Sequence, residues 1–369
     1  MRNKILVALL FMLSVLLLGC GAESGTDKAT DSKGEVVLSA DEEINKILDS
    51  MSDAEKVGQL VMIGIQGTAV DDDSLFMLHQ YHIGGITLFD RNLESEENTK
   101  KLIAELQKGA DEKLPLFIAV DEEGGPVARM KSFLPPPPAQ SEIKTPEEAR
   151  KSAEDIGNKL KNMGFNLNFA PVADVGTESP RYFSSNPNKA AELVGAASAG
   201  YHAAGILYTL KHFPGIGRQE VDSHKELSEI TATKDELMAE AKPFVDFIKS
   251  GKTDGFIMVS HFKYPALDEQ NPASLSKYIM TDLLRKELGY QGIIITDDME
   301  MGAIANSNDF REVGVAAIKA GADIVLVCHE YEHETDVYLG ILDAVESGEI
   351  SKERLNDSVR RIIKAKRNL

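Results

Sequence analysis

Eight short apolar runs, each followed by a longer segment of helical spacing, predict an α/β fold of the (β/α)8 barrel type, with one domain spanning residues 39–369. Three observations carry the prediction. The runs are continuously apolar rather than alternating, as parallel strands covered on both faces require. They recur eight times between residues 60 and 329. Nearly every run also ends in a charged side chain or a histidine, the polarity expected where barrel strands meet an active-site mouth. A doubly wound sheet is the competing pattern, but no G-x-G-x-x-G follows the first strand to support it.

In chain order the strands are LVMIGI (60–65), GGITLFD (84–90), PLFIAVD (115–121), FNLNFAPVADV (165–175), GILYTLKHF (205–213), DGFIMVSH (254–261), QGIIITDD (291–298) and ADIVLVCH (322–329). Between them, 95–111, 145–164 and 186–205 carry helical spacing. The strand ends supply Asp90, Asp121, Asp174, Lys211-His212, His261, Asp297-Asp298 and His329. Ionised groups gathered at one mouth are costly to desolvate unless they pair or do chemistry. Acid–base or nucleophilic work on a polar small substrate is the expectation. The last segment, RLNDSVRRIIKAKRNL (354–369), reads as a basic amphipathic helix that closes the barrel.

The first twenty residues stand apart. A short basic start (Arg2, Lys4) precedes the apolar run Ile5–Leu18 and then Leu17-Leu18-Gly19-Cys20. Fourteen apolar residues are short for the roughly 20 that span a bilayer. The pattern is that of a bacterial secretion signal, and the residues before Cys20 resemble a lipobox, in which that cysteine is lipidated and becomes the new N-terminus. Residues 21–38, rich in Gly, Ser, Asp and Lys, read as a flexible tether. The expected location is the outer side of the cytoplasmic membrane, or the periplasm of a two-membrane envelope. The whole chain has a net charge of −19, which argues against nucleic acid as a partner. With Cys20 used, Cys328 is the one cysteine left, so no internal disulfide is expected.

Three motifs bear on chemistry. In ITDDMEM (295–301), adjacent strand residues point to opposite sides, so one of Asp297 and Asp298 is expected to face the mouth as a carboxylate able to attack an electrophilic carbon. A helix N-cap is the alternative reading. In KHFPGIGRQEVDSHKE (211–226), Gly215 and Gly217 permit a loop, and Asp222 stands two residues before His224. An Asp so placed can hold the imidazole in one tautomer and raise its pKa, making a general acid and base near neutral pH. Third, His329-Glu330-Tyr331-Glu332-His333 spells the zinc-protease pattern H-E-x-x-H. That chemistry needs both histidines on one helical face, whereas His329 ends a strand, so no metal site is expected.

Together VDEEGGPVARM (120–130), NFAPVADV (168–175), KHFPGIGRQEVDSHKE, MVSHFKYPALDEQNPASLS (258–276) and ITDDMEM resemble the glycoside hydrolase family 3 β-N-acetylglucosaminidases that act on bacterial cell-wall fragments. The resemblance runs from residue 51 to the end. It implies Asp297 as nucleophile, an Asp222–His224 acid/base dyad on a flexible loop, and sugar binding by Asp121, Arg129, Arg181, Lys211 and His212. A retaining exo-β-N-acetylglucosaminidase follows, needing no cofactor and acting on muropeptides or related N-acetylglucosamine-containing glycans. Three positions depart from the family pattern: Ile216 stands in place of His, Glu122 of Gln and Pro126 of Arg, and the stretch around Arg181 is shortened. Two alternatives stay open. A histidine donor repels phosphate less than a carboxylate would, which would allow a phosphorylase or another β-glycosidase of the family. A lipoprotein that binds glycans without turnover is the other, although Asp222, His224 and Asp297 are all present.

Overall fold

Every barrel strand sits inside the apolar run that predicts it. The computed structural model describes residues 39–369 apart from 111–113, 178, 219–227, 302–303, 305–308 and 368. The strands are β1 (Val61–Ile63), β2 (Gly85–Leu88), β3 (Phe117–Val120), β4 (Leu167–Asn168), β5 (Leu207–Phe213), β6 (Gly255–Val259), β7 (Ile294–Asp298) and β8 (Ile324–Val327). They pair in parallel in sequence order, and β8 closes on β1 with Val61 opposite Val325. Residues 44–369 form one unit, so the expected single catalytic domain has a single core.

Local chemistry starts and stops the helices where the sequence suggests. Glu96–Lys108 begins at Ser95, whose hydroxyl accepts from Asn98 N. Pro146–Met163 opens with a Thr145/Glu148 capping box and a proline in the first turn, and it ends at Gly164, φ 100°. Pro187–Ala204 is capped by Asn186 and ends at Gly205, φ 69°. A left-handed residue at these two ends is what glycine alone supplies without Cβ strain.

Two features depart from the expectations. The fourth strand, predicted over 165–175, keeps ladder pairing only over Leu167–Asn168, and beyond it Val172 bridges Lys211. Pro171 interrupts it because proline has no N–H to give the ladder. Two antiparallel hairpins, unforeseen in the sequence, follow β3 (Glu122–Gly124 with Val127–Ala128) and β6 (Lys263–Tyr264 with Asp268–Pro272).

At the end opposite the mouth the C-terminal helix, Lys352–Lys366, closes the barrel as expected. Lys366 Nζ is buried there, 2.7 Å from Gly84 O and 2.8 Å from Gln59 Oε1. Nearby Asp323 accepts from Arg285 Nη2 at 2.6 Å and Arg361 Nη1 at 3.1 Å. These charges pair within the base and leave the opposite end for chemistry.

Candidate active site

The C-terminal ends of the strands and the hairpin after β3 enclose a pocket of about 600 Å³, a volume typical of small-molecule sites. Asp121, Glu123, Arg129, Arg181, Lys211, His212, His261, Asp297, Asp298 and His329 all line it.

One wall is a chain of alternating charges. Lys211 Nζ, from β5, lies 2.6 Å from both Asp121 Oδ1 and Glu123 Oε1. Arg181 grips Glu123 with two bonds, Nε to Oε2 at 2.8 Å and Nη2 to Oε1 at 2.9 Å. Arg129 joins Asp121 at 3.3 Å to Asp90 at 3.1 Å. Burial alone would push the Asp121 and Glu123 carboxyls up, but the Lys211 ammonium and the neighbouring guanidiniums hold both below their usual range. Five of these charges are thus held ionised around a pocket where they can hydrogen-bond a polar ligand. The Gly124–Gly125 turn, both residues at positive φ, folds the hairpin so that Glu123 before it and Arg129 after it both line the pocket.

Below His212 lies Asp174, fully buried. Its Oδ2 is 2.8 Å from His212 Nδ1, and its Oδ1 accepts from His212 N at 3.1 Å and Ile216 N at 2.9 Å. With the Nδ1 proton given to Asp174, Nε2 is the free ring nitrogen. The same carboxylate therefore orients a pocket imidazole and pins the start of the 214–218 turn. Ile216, where a histidine was expected, contributes an apolar side chain to the lining.

The end of β7 corrects one expectation. Both Asp297 and Asp298 line the pocket, because pairing with β8 shifts register between Ile295 and Asp298 and the regular alternation breaks there. Their surroundings tell them apart. Asp298 Oδ2 is 3.0 Å from His329 Nε2, and Oδ1 accepts from Glu300 N at 3.1 Å. Asp297 Oδ1 accepts the N–H of Asp298 at 3.0 Å, with no side-chain donor among the described residues. Next to it His261 Nε2–H donates to Asp298 O at 2.8 Å, its Nδ1 accepts from the Ser274 hydroxyl at 2.7 Å, and burial holds its pKa low. A neutral imidazole there donates without adding charge.

The H-E-x-x-H residues separate. The helix starts at Tyr331, so His329 lies outside it, on the pocket wall. His329 turns to Asp298, while His333 Nδ1 is 2.7 Å from Glu300 Oε1. Glu300 also accepts the N–H groups of Cys328, His329 and Glu330 and so ties down the turn ahead of that helix. Among the described residues no group of three or more His, Cys, Asp or Glu is arranged to hold a metal.

Five predicted site residues, Asp121, Arg129, Arg181, Lys211 and His212, meet with Asp297 in this pocket. Asp222, His224 and Cys20 lie outside the described residues. Glu123, Asp298 and His329 were not foreseen as site residues. The polar strand ends marked the last two, whereas Glu123 lies past its strand and carries no such signal.

A parallel barrel whose mouth gathers carboxylates, cations and imidazoles defines an enzyme of polar small substrates. The chain belongs to glycosyl hydrolase family 3, whose N-terminal domain model matches residues 53–365. Beta-hexosaminidase A of Pseudoalteromonas piscicida is 35% identical over 331 residues, covering 79% of this chain and 54% of its own length. This chain thus spans about half of that relative. A Beta-hexosaminidase of Idiomarina loihiensis is 35% identical over 308 residues, covering 80% of this chain and 91% of the relative. Among solved structures, the family 3 beta-N-acetylglucosaminidase from Paenibacillus sp. superposes with TM-score 0.82 at 37% identity, over 86% of this chain and 63% of that one.

Proposed function

We propose that the protein is a retaining exo-β-N-acetylglucosaminidase that removes terminal non-reducing N-acetylglucosamine from muropeptides or related β-linked oligosaccharides. The observation that carries this reading is the contrast at β7. Asp297 presents a carboxylate to the pocket with, among the described residues, only a backbone N–H on it, while the carboxylate of Asp298 is taken up by the His329 ring and the Glu300 N–H.

Asp121, Arg129, Arg181, Lys211 and His212 hold the hydroxyls and the N-acetyl group of the bound sugar. An oxygen of Asp297 attacks the anomeric carbon as the glycosidic bond breaks, and His224, held by Asp222, gives its proton to the departing oxygen. The covalent glycosyl–enzyme is then opened by water. His224 takes a proton from that water, its oxygen bonds to the anomeric carbon, and Asp297 leaves as carboxylate. Two inversions retain the configuration. Glycine on either side of Ile216 suits a loop that carries the donor in and out.

The N-terminal pattern supports a lipoprotein processed at Cys20, tethered by residues 21–38 to the outer side of the cytoplasmic membrane, or in the periplasm where there are two membranes. The test compares aryl β-N-acetylglucosaminide with aryl β-glucoside for a form starting at Gly21. Cleavage confined to the N-acetyl substrate, abolished in Asp297→Ala and His224→Ala, is expected. Parent-like activity in either variant overturns the assignment of that residue.

A further inference from the structure

We propose that His329 is a positioning residue for the attacking carboxylate, acting through Asp298 rather than by touching the sugar; this rests on reading Asp297 as the nucleophile. The imidazole lines the pocket with 45% of its side chain exposed, yet both of its nitrogens are committed. Nε2 meets Asp298 Oδ2 at 3.0 Å, and Nδ1 faces Arg91 Nη1 at 3.3 Å.

Arg91 is itself fixed. Its Nε donates to Ile65 O at 3.0 Å, its Nη2 donates to Cys328 O at 2.7 Å, and its guanidinium lies 4.6 Å above the Phe89 ring. That ring also flanks the imidazole, with centroids 5.2 Å apart. The histidine is wedged between the ends of β2 and β7 and cannot turn without losing a partner at each edge. Asp298 is anchored as firmly, since its carbonyl accepts from His261 Nε2 at 2.8 Å and Met301 N at 3.0 Å. Its own N–H ends the chain on Asp297 Oδ1. Arg91, His329, Asp298 and Asp297 thus form one line of hydrogen bonds drawn from β2, β8 and β7.

The arrangement solves a positioning problem. Two adjacent aspartates line the same pocket, and only one of them is to face the anomeric carbon. The charged groups facing the imidazole are Asp298 and Glu300 from the β7 side and Arg91 from β2. A donor on Asp298 holds that carboxylate turned aside, and the Asp298 N–H stays on Asp297 Oδ1 and fixes the orientation of the attacking group. His329 does this without occupying the sugar site.

The test measures kcat and KM on aryl β-N-acetylglucosaminide for parent, His329→Ala, His329→Gln, Asp298→Asn, the His329→Ala/Asp298→Asn double variant and Asp297→Ala. Loss of one charge-assisted hydrogen bond predicts about a tenfold fall in kcat for His329→Ala. KM should stay near the parent value. His329→Gln, which keeps a donor, should recover most of kcat. The double variant should be no slower than Asp298→Asn alone, because both changes cut the same line. Additive losses, or a raised KM at parent kcat, overturn the proposal and make His329 a substrate contact. Should His329→Ala fail to fold, His329→Phe, which fills the same wedge without a donor, is read in its place for the kcat against KM split. Parent-like activity of Asp297→Ala overturns the nucleophile reading instead, whatever His329 does.

Discussion

Lys211 Nζ lies 2.6 Å from Asp121 Oδ1 at the end of the barrel, and the lysine side chain is only 3% exposed. A second acid, Glu123, shares the same ammonium at 2.6 Å. One cation therefore keeps two carboxylates ionised in a place that would otherwise protonate them.

Lys211→Met should be costly for this reason. Removing one partner of a buried pair destabilises by about 3–5 kcal/mol. Urea unfolding at pH 7 measures the loss. Asp121 and Glu123 have lowered pKa values in the parent. Their stabilisation is present above the unfolded carboxylate range and is lost as pH falls through the folded values. The gap between parent and variant should therefore narrow below about pH 4.

Asp174 separates stability from activity. Asp174→Ala strands three buried donors (His212 N, His212 Nδ1 and Ile216 N), each worth about 1–3 kcal/mol. Asp174→Asn keeps an oxygen for the two backbone N–H groups but presents an amide to the imidazole. The proton then moves to Nε2, the pocket side. Asn should unfold close to the parent and still bind the sugar more weakly, read as a raised KM.

Gly217 tests the turn that precedes, in sequence, the proposed donor pair Asp222 and His224. A Cβ there would sit 1.8 Å from Val175 O, a distance no side chain tolerates. Gly217→Ala must displace the turn away from Asp174. The expected result is a kcat fall of at least tenfold with the barrel's far-ultraviolet circular dichroism unchanged.

Glu334 predicts a pH dependence of stability. It is fully buried with Oε1 on Gly64 N at 3.1 Å and no partner for Oε2 among the described residues, and burial pushes its pKa up to about 9. Between the unfolded value and about 9 the folded protein keeps a proton that the unfolded chain has released. Stability attributable to this group therefore falls as pH rises, by at most about 1.4 kcal/mol per unit. Glu334→Gln retains the acceptor and removes the titration. Melting curves from pH 5 to 9 should show the variant gaining on the parent at each step.

Much of the barrel was legible in the chain itself, because its signals are local. A strand covered on both faces must be apolar along its whole length, and Ser95, Thr145, Asn186, Gly164 and Gly205 mark helix ends by their own hydrogen bonding or backbone freedom. Strand order followed from alternation, and the mouth from the polar residue at each strand end.

What tertiary structure alone decided are the pairings across strand ends. Arg181 and Glu123 are 58 residues apart, and His329 and Asp298 stand on neighbouring strands. No periodicity encodes which acid meets which cation, since that depends on how the barrel closes and where its ladders slip. The slip before Asp298 turned both aspartates to the pocket against the alternation rule. Local sequence determines what each residue can do, and closure of the sheet determines what it can reach.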